Sequence, residues 1–546
     1  MKKIWLLFLL LVIFLIETTF MAGVLDDVRF KLCDMLTEKQ GSEDLFIRAE
    51  GAVAKSTMRD VREAAEEMNP LLDAEMHVAL PKHVKVYVAG SQEIYAQVLA
   101  REFSLETKEA EGVANISGGW SGGKHRITAI NGAANVMKGR SDRIHTTGHE
   151  LFHQVQYALA NGKDTDEKAL FWLEEGTADY MGALLSERMN GRTRDKWIAD
   201  ITLELLSAPR MARIADLQHL DLAERKHIMG KEFHAYSVSD LMTWYLLNQL
   251  PKGTEGECLT NYFQGLGAGR SGEESFEKAF GMTTESFFAS FSHWWEEQRN
   301  APLEFHIENG SVKEQYVRDI KQYLAFSHTL VEQRLGYTLH GAYTLVLAMG
   351  QEDFVNDIMA YCDVEKKTAE ELAASSLWVE NGSTILLNAG ELQSKQQTIF
   401  TLGTMVARIF ERQRMATDNK EPIWLVYGSS YLMGVDALSE SGYGALRDYR
   451  RTWILKLREQ KAIPKLADLQ TEESYQRMVD IYGHEIVSLV MELGTYELID
   501  SNGWASYARW IEEVRETENG KQGFRNVWGK SAKDFALDFD HRLHKE

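Results

Sequence analysis

His149 and His153 are the residues whose spacing first suggests chemistry, in the stretch His149-Glu150-Leu151-Phe152-His153. On a helix, positions i and i+4 lie one turn apart on the same face. Two imidazoles so placed share one metal ion, and Glu150 points beside it, where a water would sit. Downstream, Phe171-Trp172-Leu173-Glu174-Glu175-Gly176-Thr177-Ala178-Asp179-Tyr180 reads as a helix start and offers a third ligand. Two histidines and one glutamate leave the fourth corner of a tetrahedral zinc open to water. That is the arrangement of a catalytic site rather than a structural one. The five-residue pattern alone arises by chance on ordinary helices, and the second segment gives it weight.

The pairing of these segments resembles the gluzincin-type zinc metallopeptidases of the peptidase MA-like superfamily. There, a helix with the two histidines is followed by one carrying Glu-x-x-Ala-Asp or Asn-Glu-Gly-x-Ala. Glu175-Gly176-Thr177-Ala178-Asp179 fits the first form, and the run Trp172-Leu173-x-Glu175-Gly176-x-Ala178 fits the second. The resemblance implies that His149, His153 and Glu175 hold one Zn2+ per chain. It implies that Glu150 takes a proton from water as general base and passes it to the leaving amine. Asp179 matches the family acid that accepts a hydrogen bond from a ligand histidine, here His149. Glu174 stands where the family often has Asn. It either serves His153 in the same way or is itself the ligand, with Glu175 preferred for its register with Gly176 and Asp179. A donor for the transition state is expected from Tyr236 or His234, and the resemblance favours the tyrosine. His145 reads as a neighbouring polar residue. Gly132-Ala133-Ala134-Asn135 lacks the Met and Glu of the aminopeptidase branch, so aminopeptidase activity is not supported.

The elements that must position these groups are legible from periodicity. Thr57–Asp73 reads as an amphipathic helix, Val84–Val88 as a strand and Gln92–Phe103 as a helix. Asn115–Trp120 and His125–Ile130 read as two strands about a Gly-rich turn; the gluzincin resemblance implies that one edges the cleft and pairs with an extended substrate, and a plain hairpin is the alternative. The metal helix is expected from Ile144 to Leu159, closed by Asn161-Gly162. The Glu helix is expected from Phe171 to Met189, with further helices at Trp197–Leu206 and Val238–Leu250. Residues 251–272 are Gly-rich and read as a loop. Phe276–Trp295 reads as two helical pieces about Gly281.

The second half of the chain resembles the first. Phe46, Gly51, Val53, Arg59 and Asp60 find matches in Phe305, Gly310, Val312, Arg318 and Asp319. Trp172-Leu173 and Gly176 match Trp424-Leu425 and Gly428. Phe276, Gly281, Phe287 and Phe291 match Phe524, Gly529, Phe535 and Phe539. The spacing between partners shortens steadily along the chain, as a few deletions in one copy would produce. In this alignment Thr404 faces His149, Met405 faces Glu150, Arg408 faces His153, Tyr427 faces Glu175 and Tyr431 faces Asp179. The packing residues persist and every metal or proton-transfer position is lost. The expected fold is therefore helix-rich α+β, with two tandem gluzincin-like domains, each a small sheet packed on helices. The expected bounds are 45–300 for the zinc metallopeptidase-like domain and 304–546 for the degenerate repeat.

Lys2, Lys3 and the unbroken apolar run Ile4–Ile16 read as an export signal over 1–23, shorter than the ~20 residues a membrane span needs. Phe20 is bulky for cleavage after Ala22, so an uncleaved anchor tethering the chain to a membrane is the alternative. Residues 24–44 read as a helical lead. The expected location is secreted or extracytoplasmic. A net charge of −21 argues against a nucleic-acid partner. Cys33, Cys258 and Cys362 lie far from metal-ligand spacing and read as small buried residues. The expected partner is a peptide or protein substrate. Two rival readings are a non-catalytic binding or scaffold protein with a peptidase-like fold, and a zinc hydrolase acting on non-peptide amides.

Overall fold

The computed structural model describes residues 45–543 except 124–125, 163–168, 219–223, 225–227, 229–232, 309–311 and 416–419. The leader, the helical lead at 24–44 and His125 of the expected hairpin lie outside the described residues.

Each half builds a four-stranded mixed sheet. In the first, β1 (Leu45–Glu50), β2 (Val84–Ala89), β3 (Gly119–Gly122) and β4 (Ile127–Asn131) lie in the order β1-β2-β4-β3. β1, β2 and β4 are parallel, and β3 returns antiparallel to β4. Parallel neighbours need crossovers. Here they are α1 (Lys55–Met76) between β1 and β2, and the helices Gln92–Phe103 and Thr107–Ala114 after β2. In the second half, β5 (Glu304–Glu308), β6 (Ala342–Ala348), β7 (Trp378–Asn381) and β8 (Thr384–Asn388) take the order β5-β6-β8-β7 with the same pairing senses. The central strands are covered on both faces: all of β4 and all of β8 are buried.

Against the first sheet lies α2 (Arg140–Leu159); α3 (Phe171–Arg188) and α5 (Glu255–Gly267) pack on α2, and α4 (Ala235–Asn248) packs on α3. Their counterparts in the second half are α6 (Lys395–Met415), α7 (Ile423–Glu440) and, after the basic helix α8 (Leu446–Arg458), α9 (His484–Asn502). The two halves use the same contacts. α2 and α3 meet where a Cβ on Gly148 would lie 3.0 Å from the Gly182 Cα; α6 and α7 meet where one on Gly403 would lie 3.1 Å from the Gly434 Cα. Only glycine lets backbones approach so closely. Trp172 stacks on Phe287 at 5.0 Å, and Trp424 on Phe535 at 5.6 Å, each fully buried.

Several expectations need correction. Residues 251–272 are not a loop, because α5 runs through them. Its glycines serve packing: a Cβ on Gly256 would strike the Glu75 carbonyl, and one on Gly267 would lie 2.9 Å from the Leu159 carbonyl oxygen. Buried Tyr262 and Phe263 supply its apolar side. α2 begins at Arg140, a turn before Ile144, since Arg143 reaches back to buried Asp60 of α1 at 2.6 Å. The expected strand from Asn115 shrinks to β3, because the helix ending at Ala114 and a turn take up the preceding residues. Cys258 and Cys362 are free thiols, half-buried rather than buried. Among the described residues, no helix is long and apolar enough to cross a membrane.

The halves dock through apolar contact, with Leu203 buried in the core of the second half, and through polar contacts. Lys196 Nζ donates to the Asn381 carbonyl at 2.7 Å, and the Ser383 N–H donates to Asp200 at 2.6 Å. Asp363 accepts the Ser141 N–H, capping the first turn of α2, also at 2.6 Å. A cavity of about 950 Å³ lies along this seam, lined by Lys138, Arg192 and Lys196 on one side and His306, Tyr361 and Cys362 on the other.

Candidate metal centre

α2 and α3 bring His149, His153 and Glu175 together, all buried, with one ligand atom from each within 4.8 Å of the others. It is the one such group among the described residues. His149 Nε2 and His153 Nε2 lie 3.0 Å apart, and Glu175 Oε2 lies 3.7 and 3.6 Å from them. Tetrahedral zinc with arms of ~2.0–2.2 Å sets its ligand atoms about 3.3–3.6 Å apart. Glu175, not Glu174, completes the group. Glu174 is buried and its carbonyl accepts from Gln156 Nε2 at 2.8 Å.

The outer nitrogens decide what the inner ones are. His149 Nδ1 lies 2.8 Å from Asp179 Oδ1, a carboxylate that only accepts. His153 Nδ1 lies 2.7 Å from Gln156 Oε1. The Gln156 amide donates its N–H groups to the Glu174 carbonyl and to Thr177 Oγ1 at 2.9 Å, so its oxygen faces the histidine. Both rings therefore carry their protons on Nδ1, and both Nε2 atoms present lone pairs. Two lone pairs and a carboxylate converge on one point, which is a donor set for a cation. Burial works against a proton on either ring. Yet Asp179 raises His149, and Glu175, with Glu150 and Glu174 behind it, raises His153 to about 10. The pocket is negative enough to hold positive charge. The residues present fit zinc in ligand type, number and spacing.

Asp179 thus meets His149, and it also meets His145 Nε2 at 2.9 Å. Burial opposes its ionisation, but His149 and His145 hold it well below the usual carboxylate range. Next to it, burial and the charge of Asp179 push buried Asp240 well above that range. A neutral acid thus backs an ionised one. Sequence reasoning missed Gln156 and Asp240 and undervalued His145. Gln156 was visible as the polar residue one turn after His153. Asp240 had no local signal.

Glu150 is buried and does not belong to the donor set. Its Oε2 accepts from Ser121 Oγ at 2.7 Å, and burial raises its pKa. Ser121 belongs to β3, the edge of the sheet, whose backbone runs tight against this carboxyl group. A Cβ on Gly119 would lie within 2.5 Å of the Glu150 carboxyl carbon. Tyr157 stacks beside His153, ring centroids 6.4 Å apart. Tyr236, at the start of α4, packs edge-on against Phe171, the first residue of α3. His234 is taken by Glu204, which lies 2.6 Å from its Nδ1.

The second half fills the same place differently. Arg408 pairs with buried Glu411 at 2.8 Å and lies 4.9 Å over the Tyr427 ring. Glu411 also accepts from Ser429 at 2.7 Å and from Tyr507 at 2.6 Å. Phe400 stacks on Tyr431 where the first half has His145 and Asp179. Here a guanidinium supplies the positive charge from within the chain.

In comparisons with known proteins, no family model, no curated protein and no solved structure matches the chain.

Proposed function

We propose that this chain is an exported zinc metallopeptidase of the gluzincin type, hydrolysing peptide bonds in peptides or proteins. Its second half is, in this reading, a degenerate copy that keeps the fold without the metal. One observation carries the proposal. Three lone-pair donors converge on a point beside Glu150, a carboxylate the ion does not need as a ligand. A closed structural zinc site takes four protein ligands and has no use for such a neighbour.

Zinc, when bound, supplies Lewis acidity, polarising a carbonyl and lowering the pKa of water toward ~7. The chain's own residues do the rest. Glu150, made more basic by burial, accepts a proton from water and returns it to the leaving amine. Ser121 holds one carboxylate oxygen, which orients the other. Asp179 and Gln156 fix the histidine tautomers. β3 offers its outer backbone edge to an extended substrate. Tyr236 is the donor assigned to the developing negative charge, because His234 is engaged by Glu204. The leader sequence supports export.

The test is Glu150→Gln. The variant should keep its zinc and lose ~10²–10⁴-fold in hydrolysis of an unfolded protein substrate. Undiminished hydrolysis would refute the role of Glu150. Turnover of non-peptide amides alone would keep the site and remove the peptidase assignment.

A further inference from the structure

α8 stands apart in an acidic chain. It carries Arg447, Arg450, Arg451, Lys456 and Arg458 against Asp448 alone, and Glu459, Lys461 and Lys465 follow just beyond it. The chain as a whole has a net charge of −21. The inner face of the helix explains why it folds. Trp453, Ile454 and Leu457 are buried, and Trp453 packs edge-on against Tyr496 of α9 at 6.3 Å. Two of its cations pair with acids of α9: Arg450 lies 3.7 Å from Glu497 and Lys456 lies 2.9 Å from Glu485.

The outer face is exposed. Arg447, Arg451 and Leu455 succeed one another at i, i+4 spacing and so form one exposed stripe. Leu455 is 50% exposed, among the few large apolar side chains left so open. It sits one turn from Arg451 and next to Lys456. Arg447, Arg451, Lys461 and Lys465 form no ion pair among the described residues. An apolar side chain flanked by Arg451 and Lys456, with the acid Glu459 a turn beyond, suits the boundary between charged headgroups and acyl chains.

We propose that this face docks the protein on an anionic lipid surface, with Leu455 entering the headgroup layer and Arg447, Arg451 and Lys461 meeting lipid phosphates. Charge selects this occupant. A body of net charge −21 is repelled by an anionic bilayer, so only a locally positive face can approach within a Debye length of ~8–10 Å. The same contrast fixes orientation. The N-terminal run Ile4–Ile16, preceded by Lys2 and Lys3, would bring the chain to such a surface. The inference is independent of the metal and of the peptidase reading.

The experiment compares partition of the full chain into phosphatidylcholine vesicles and into vesicles that also contain phosphatidylglycerol. Wild type stands beside R447Q/R451Q and beside L455S; all share the leader, so its contribution cancels in the ratios. Each cation near a charged surface is worth roughly fivefold, so R447Q/R451Q should weaken binding to the anionic vesicles by about 30-fold. Binding to phosphatidylcholine should not change. L455S should also weaken anionic binding, by several-fold. Equal loss on both vesicle types, or no loss, overturns the proposal. Heparin binding as tight as vesicle binding, with L455S changing neither, would make the partner a soluble polyanion and overturn it as well.

Discussion

His153 Nδ1 donates to Gln156 Oε1 at 2.7 Å, and that bond commits the opposite side of the ring to presenting a lone pair. His149 is committed in the same way by Asp179. The two Nε2 atoms then face each other at 3.0 Å, a contact that is repulsive unless positive charge lies between them. The geometry of the pocket is that of a site shaped around an ion.

Metal content should follow this arrangement. Purified protein should carry about one zinc per chain by elemental analysis, and His153→Ala should carry none. Gln156→Leu keeps all three ligands and removes the oxygen that fixes the ring, together with the amide's bonds to the Glu174 carbonyl and Thr177. Its zinc affinity should fall ~10–100-fold, measured by competition with a chromogenic chelator. Two zincs in the wild type would mean that the second half also binds metal, contrary to its Arg408–Glu411 pair.

Gly119 tests the coupling of the edge strand to the proton-transfer group. A Cβ there would press on the Glu150 carboxyl group, so Gly119→Ala should displace the carboxylate while leaving His149, His153 and Glu175 in place. The expected result is full zinc content with hydrolysis reduced by ~10²-fold or more, read as kcat rather than KM. Parallel loss of zinc and activity would mean that the strand merely supports the fold.

Asp179 accepts from two histidines, and its charge adds to burial in keeping Asp240 neutral. Asp179→Asn removes that charge and permits the wrong tautomer of His149. Zinc affinity should fall ~10–100-fold, by the same chelator competition. Asp179→Glu moves the carboxylate by one methylene and should recover only part of the loss. Unchanged affinity in the asparagine variant would reduce Asp179 to a packing residue.

How much of this was legible beforehand follows from the range over which each residue acts. His149 and His153 announce themselves because helix geometry sets their spacing within one turn, whereas Glu175, on the next helix, is read through the resemblance of its segment. The repeat was legible because packing demands, such as Trp172 under Phe287 and Trp424 under Phe535, leave the same residue types at corresponding places. Asp240 was not legible, since its partner Asp179 comes from a different helix and only the tertiary fold joins them. α5 was misread because Gly256, Gly265 and Gly267 look like breakers in one dimension. In three, Gly256 and Gly267 are where the helix touches another backbone, and Gly265 is where it meets the Ser275 side chain.

The second half carries its own titration. Glu492 of α9 is buried, and burial pushes its pKa up to about 8. Unfolded, it would ionise near the ordinary glutamate value. Between that value and about 8 the folded state holds a proton that the unfolded state has lost. Stability therefore falls as pH rises through this window and levels off above it. The full penalty has an upper bound of about 5 kcal/mol. Glu492→Gln, which keeps the shape and the hydrogen-bonding capacity of the protonated acid, should remove this slope. Denaturant unfolding at pH 6 and pH 9 measures it. The wild type should lose stability between the two, and the variant should lose clearly less. Equal losses would show that Glu492 ionises freely and that water reaches it.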